Sequence, residues 1–182
     1  VLNAGVSPVV GTTGLSQAEL ADLAEICQRK KIGALIAPNF AIGAILMMQF
    51  AQVASRFFQD VEIIEMHHPN KVDAPSGTAI KTAEMILESR EGLNKGASGA
   101  ESVQGVRGGD LGGIRIHSVR LTGLVAHQEV IFGGAGQTLT IRHDSLNRES
   151  FMPGVMLGIR EVRHLPGLVY GLDQLIAHHH TS

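Results

Sequence analysis

Two kinds of α/β structure in one chain are what this sequence predicts: a piece of parallel sheet, then a mixed sheet of about four strands with helices on one face, closed by a last helix. Three observations carry the prediction. The first thirty-eight residues run strand, glycine turn, helix, strand, and that order requires parallel strands with ligands at their carboxyl ends. Between 61 and 143, four short apolar runs alternate with turn residues, and the last two are joined by GGAG as a hairpin. Helical-period segments at 42–58 and 76–89 flank the first of those runs.

In order, VSPVVG at 6–11 is a short apolar run that ends in the glycine turn GTTG at 11–14. Ser16 and Glu19 stand at capping-box spacing, and Leu20, Leu23, Ala24 and Cys27 follow at helical period. Arg29, Lys30 and Lys31 suit the negative end of that helix dipole. IGALIAP at 32–38 is a buried strand stopped by Pro38. From Ile42 to Phe58 apolar residues cover most faces of a helix, which predicts burial between layers. VEIIEMHH is a strand, and the helix from Ser76 to about Ser89 follows a short polar loop. Residues 92–113 hold eight glycines with no apolar period, a mobile loop by composition. IRIHSVRLTG, AHQEVIFG and QTLTIRH are the remaining strands. In SFMPGVMLGIREVRHL, the stripe Met152, Val155, Met156, Ile159 and Val162 predicts a final packed helix, with the methionines at 47, 48, 85, 152 and 156 as core filler.

Composition limits the function. With 182 residues, 44% hydrophobic and 18% charged, the chain is an ordinary globular protein. A net charge of -2 argues against nucleic acid, whose binders carry a basic surplus. The apolar run near 43–48 is too short and too soon followed by polar residues to span a bilayer. One cysteine, Cys27, allows no intrachain disulfide, which fits a reducing, cytoplasmic compartment. The partner expected is a small molecule.

The polar chemistry gathers in EMHHPNKVDAPSGTA at 65–79. Pro75 ends the extended segment, and Ser76, Gly77 and Thr78 open a helix whose N–H groups and dipole receive anions. Lys71 adds a full charge, so the guest is a carboxylate or phosphate. His67 and His68 can supply protons near neutral pH. Singly, each element has a plainer role: Ser-Gly-Thr as a cap, paired histidines as structure, Asp73 as a turn former. Together they suit a reaction on a carboxylated substrate. No metal is assigned: adjacent His67 and His68 cannot both face one zinc, and His178, His179 and His180 fit a solvated tail.

EMHHPNKVDAPSGTA resembles the signature of the dihydrodipicolinate reductases. GTTG at 11–14, APNFAIGA at 37–44, VRGGD at 106–110 and IRHDSLNRESF at 141–151 follow in family order, so the resemblance covers nearly the whole chain. It implies a partial Rossmann-type domain at 1–39, a substrate-binding and oligomerisation domain at 40–149, and at 150–182 a helix returning to the cofactor domain. It implies His67 as proton donor or acceptor and Lys71 as a second proton-donating or substrate-orienting group. His68, Ser76, Gly77 and Thr78 would hold a substrate carboxylate. Gly11, Thr12 and Thr13, with Ala37, Pro38, Asn39 and Phe40 opposite, would line the nicotinamide and ribose of NADH or NADPH. A homotetramer packed through the 114–145 strands is implied as well. The family's G-x-x-G-x-x-G fingerprint is absent from this chain, and the expectation is numbering that starts within the cofactor domain. Two other readings remain: a fragment that only assembles, and another two-domain dehydrogenase.

Overall fold

The computed structural model describes residues 1–12, 14–89 and 100–179, with side chains through 176. It divides into two compact units, Val1–Ile45 with Arg148–Ser182, and Leu46–Asn147.

The first unit holds a parallel sheet in the order β1 (Val9–Val10), β2 (Ala34–Ile36), β8 (Leu168–Tyr170). Val9 lies beside Leu35, and Leu35 beside Val169. Strand β8 was not anticipated, because three residues after Pro-Gly carry no detectable period. Helix α1 (Gln17–Lys30) connects β1 to β2 and opens with the expected capping box: the Ser16 N–H donates to Glu19 Oε2 at 2.8 Å, and the Glu19 N–H to Ser16 Oγ at 3.2 Å. Its buried side, Cys27 with Leu23 and Ile26, packs with Leu2, Ala34 and Leu168.

Helix α4 (Met152–Glu161) departs in part from the expected packing: of the stripe, Val162 is buried and Val155 half-buried. Met152, Met156 and Ile159 are about half exposed, while the buried positions are Gly154 and Gly158. A Cβ at Gly154 would lie 2.1 Å from the Phe40 carbonyl oxygen, and one at Gly158 would lie 2.7 Å from Leu35 Cδ2. The helix backbone therefore sits directly on β2 and the turn after it. Side chains would hold it away, so the side of Gly154, Gly158 and Val162 is the inner one, although Met152, Met156 and Ile159 are more apolar than the glycines. Met152 and Met156 are consequently not core filler, unlike Met47, which is buried.

The second unit is a mixed sheet in the order β4-β5-β3-β6-β7: β4 (Gly109–Leu111), β5 (Ile114–Arg120), β3 (Asp60–His67), β6 (Ala126–Gly134) and β7 (Gln137–Ser145). The count is five where about four were expected, because the end of the glycine-rich segment adds the edge strand β4 antiparallel to β5. Central β3 runs parallel to β5 and antiparallel to β6. The part of the anticipated loop at 92–99 lies outside the described residues, while 100–108 is a series of turns in which Glu101 accepts from the Gly105 and Arg107 N–H groups.

Alternation along the strands sorts their side chains onto two faces. Val61, Ile63, Ile114, Ile116, Val130 and Phe132 form one core with Met47 and Ala51 of α2 (Ile42–Ala54) and with Ala79, Ala83 and Ile86 of α3 (Gly77–Glu88). Helix α2 stops at Ala54 rather than running to Phe58, and Phe50 and Val53 on it are exposed, so it is covered on one side only. The opposite face of the sheet carries Ile64, Met66, Val119 and Ile131, half-buried, among ion pairs such as Glu62 with Arg107 and Asp144 with Arg142.

Gly154→Ala should destabilise the protein by about 1–3 kcal/mol, because the new methyl meets backbone that cannot swing aside. Urea unfolding measures it, and an unchanged midpoint would show that α4 does not rest on the Phe40 carbonyl.

Candidate active site

β3 is the spine of the site. Its last residues outward from the core place Glu65 and His67 on the helix-facing side, two and four residues beyond Ile63. Glu65 is fully buried, and Ser76, which caps α3, is nearly so. The Ser76 Oγ accepts from the Ala79 N–H at 3.2 Å, and the Ser76 N–H donates to Glu65 Oε1 at 3.2 Å. The start of the helix is thus tied to the strand beneath it. After the cap, Gly77 is exposed and Thr78 half-buried, and the Thr78 carbonyl accepts from Thr82 Oγ1 at 2.7 Å.

Arg120, at the end of β5, lies directly across from His67 in the parallel register. Its guanidinium grips Glu65 with two bonds of 2.9 Å and also donates to the Asp73 carbonyl at 2.6 Å. His67 Nδ1 lies 2.5 Å from Glu65 Oε2. Burial pushes the Glu65 carboxyl up, but hydrogen bonds from Arg120, Ser118 and His67 together outweigh it and hold the group below the usual carboxylate range. For His67, burial dominates and lowers the imidazole, with Glu65 opposing and Lys71 and Arg120 assisting.

The loop adds Lys71, whose ammonium binds both Asp73 oxygens at 2.8 and 2.9 Å. That hydrogen bond holds the Asp73 carboxyl below its ordinary value. Asp73 therefore does more than form a turn: its side chain holds Lys71 and its carbonyl takes Arg120. His68 is exposed, one residue past the strand. Thus the structure gathers His67, Lys71, Ser76, Gly77 and Thr78 around one loop and helix start, with His68 at its rim.

The predicted cofactor positions belong to the first unit. Val10 and Ile36 are register partners, and the Ala37 N–H donates to the Val10 carbonyl at 2.9 Å, so Gly11 and Ala37 leave adjacent strand ends together. Gly11, Thr12 and Pro38 are exposed, Asn39 half-buried, Ala37 and Phe40 buried. Asn39 Oδ1 accepts from the Ala41 N–H at 2.8 Å, fixing the turn before α2. Thr13 lies outside the described residues. Among the described residues no group of three or more His, Cys, Asp or Glu is placed to hold a metal, and no helix is long and apolar enough to cross a membrane.

Glu65 and Arg120 are the residues the sequence reading passed over. A glutamate at an inward position of an otherwise apolar strand was the available signal, since an unpaired buried carboxylate is not tolerated and implies a cation elsewhere.

The first unit is thus a piece of Rossmann-type parallel sheet, and the second is a mixed sheet that gathers His67, Lys71 and the start of α3 around one loop. The family model "Dihydrodipicolinate reductase, C-terminus" matches residues 43–176, and "Dihydrodipicolinate reductase, N-terminus" matches 1–40. The chain belongs to the dihydrodipicolinate reductase family. It is 62% identical over 173 residues to the 4-hydroxy-tetrahydrodipicolinate reductase of Shouchella clausii, covering 94% of this chain and 66% of that protein. To the enzyme of the same name from Listeria monocytogenes serotype 4b it is 59% identical over 177 residues, 97% of this chain and 67% of that one. A solved structure described as dipicolinate bound dihydrodipicolinate reductase from Paenisporosarcina sp. TG-14 superposes with a TM-score of 0.87 at 53% identity, covering 95% of this chain and 66% of that one. The chain thus spans about two thirds of the length of these relatives.

The pH dependence of stability follows from the direction of the Glu65 shift. A carboxyl held low in the folded protein stabilises it above the ordinary carboxylate value, and that stability is lost as pH falls through the folded value. Urea unfolding over an acid pH series should show a shallower decline for Glu65→Gln than for the parent protein. Equal slopes would mean that Glu65 is not held ionised.

Proposed function

We propose that the chain acts as a 4-hydroxy-tetrahydrodipicolinate reductase, using NADH or NADPH to reduce a cyclic imine dicarboxylate to tetrahydrodipicolinate in the diaminopimelate route to lysine. The observation that carries this is the convergence of His67, Lys71 and the Ser76-Gly77-Thr78 helix start on one short loop in a chain about 60% identical to enzymes of that name.

His67 delivers the proton to the ring carbon next to the one that is reduced, and a positioned general acid contributes about 10²–10⁴ in rate. Lys71 orients a substrate carboxylate, exchanging part of its contact with Asp73 for the ligand. The first-turn N–H groups at Gly77 and Thr78 receive a carboxylate, and Ser76, whose oxygen already accepts from Ala79, still has its hydroxyl proton to donate. His68 completes the rim. The residues at the ends of β1 and β2 fit the nicotinamide and ribose: a Cβ at Gly11 would come within 3.2 Å of the Phe40 ring, so the missing side chain leaves room that another residue would fill. Gly11 and Thr12 with Ala37, Pro38, Asn39 and Phe40 would hold that end of the cofactor, which supplies the hydride. Residues 1–39 and 150–182 serve the cofactor side, and 40–149 serve substrate and assembly. A cytoplasmic setting suits the buried free thiol of Cys27.

His67→Gln should lower turnover by about two to four orders of magnitude with little effect on cofactor affinity. Lys71→Ala should raise the substrate Michaelis constant, as loss of a charge-assisted contact costs about 1.5–3 kcal/mol, and dipicolinate should compete with substrate in the parent protein. Steady-state kinetics check both, and near-normal turnover or an unchanged Michaelis constant would remove the residue concerned from its role.

The sheet face opposite the helices supports a homotetramer. Ile64, Met66, Val119 and Ile131 lie there half-buried, and a partner sheet would cover them. Val130, Phe132 and Ile141 pack into the helix-side core, so a partner sheet would meet the other face of strands 114–145. Light scattering at micromolar concentration should give a mass well above 19.3 kDa, and a clean monomer would refute the assembly.

A further inference from the structure

We infer that Glu65, braced by Arg120, is a positioning residue that holds His67 in the tautomer protonated on Nδ1, so that Nε2 is the nitrogen that gives and takes the catalytic proton. The catalytic consequence rests on the reductase reading above, but the tautomer does not.

The geometry leaves Glu65 one protonation state. Its Oε1 accepts from Arg120 and from the Ser76 N–H, and its Oε2 from Arg120 and His67. Both carboxylate oxygens are filled by donors, and two of those bonds come from a guanidinium that does not lose its proton. Facing an ionised acceptor at 2.5 Å, His67 Nδ1 must carry hydrogen. The charged groups around the ring are Glu65 on its own strand, Arg120 from β5, and Lys71 and Asp73 from the loop. Across the antiparallel side the partner is Ala126, which carries no charge, and the cap of α3, Ser76, which bonds the same carboxylate, is neutral. In the reactive step the proton leaves Nε2 for the substrate carbon, the imidazolium becomes neutral, and Glu65 and Arg120 keep their charges. The same carboxylate holds the Ser76 N–H, so proton donor and anion-receiving helix start are registered to one point.

Glu65→Gln separates positioning from packing, because the replacement has the same shape. The Ser76 N–H reaches only the Oε1 position, which draws the amide oxygen to that side and turns the NH₂ toward His67, while Arg120 keeps its bond to the amide oxygen and gives up the one to Oε2. An amide N–H can pair only with an unprotonated Nδ1, so the ring should switch to the Nε2-protonated form. Long-range ¹H–¹⁵N correlation spectra of the 182-residue chain read this directly. The expected result is Nδ1–H in the parent protein and Nε2–H in Glu65→Gln, with turnover reduced by about 10²-fold or more and the substrate Michaelis constant within about twofold. An Nε2–H tautomer in the parent protein, or a variant with unchanged tautomer and turnover, would overturn the inference. If Glu65→Gln does not fold, the parent spectrum alone decides. Should the tautomers switch as expected while His67→Gln keeps full turnover, the positioning stands and the proton-donor assignment of His67 falls.

Discussion

A carboxylate without access to water can stay ionised only if its oxygens are filled by hydrogen-bond donors, and Glu65 imposes that demand on the whole second unit. Its partners come from three separate elements: Arg120 at the end of β5, the Ser76 N–H at the start of α3, and His67 two residues along β3. Arg120 cannot move alone without leaving a buried charge unmatched, and breaking such a pair costs about 3–5 kcal/mol. The strand order, the entry angle of α3 and the path of the loop between are thereby coupled through one side chain.

That coupling explains why the loop at 68–76 is ordered although it is polar and much of it is exposed. Arg120 reaches past Glu65 to the Asp73 carbonyl, and Asp73 in turn holds the Lys71 ammonium. The parallel pairing of β3 with β5 makes this possible, since it sets Arg120 beside His67 and Ser118 beside Glu65. In an antiparallel pair the ends of the two strands would lie at opposite edges of the sheet. A second polar row continues on the same face, where Gln128 pairs with Glu65 in register and donates to Thr82 Oγ1 at 2.8 Å, linking α3 to β6. Below these rows the face is wholly apolar, from Ile63 to Phe132. The sheet is therefore a greasy anchor at one end and a hydrogen-bonded platform at the other.

The first unit solves a different problem, which is to bring backbone close to backbone. Gly33 faces the carbonyl of Val162, Gly154 that of Phe40, and Gly158 the side chain of Leu35, each at a distance that excludes a Cβ. Close approach at these points seats α4 on β2 and on the turn after it, where Phe40 lies, and leaves Met152, Met156 and Ile159 about half exposed.

Several features were legible in the sequence because they depend on neighbours along the chain. The capping box of Ser16 and Glu19, the βαβ order, the hairpin at GGAG and the opening of α3 at Ser76 are all local, and so was the gathering of His67, Lys71 and Ser76 within ten residues. Period alone could not show that α4 buries its glycines, since a helix face is chosen by what lies opposite, and of the apolar stripe only Val162 is fully buried. The strands β4 and β8 were hidden because three residues carry no period, and only pairing with β5 and β2 makes them strands. Likewise, the sequence determined that a glutamate stands at an inward position of β3, but 55 residues separate it from Arg120. Which cation would meet that charge was decided only by the tertiary register, because electrostatic pairing depends on distance in space and not on distance along the chain.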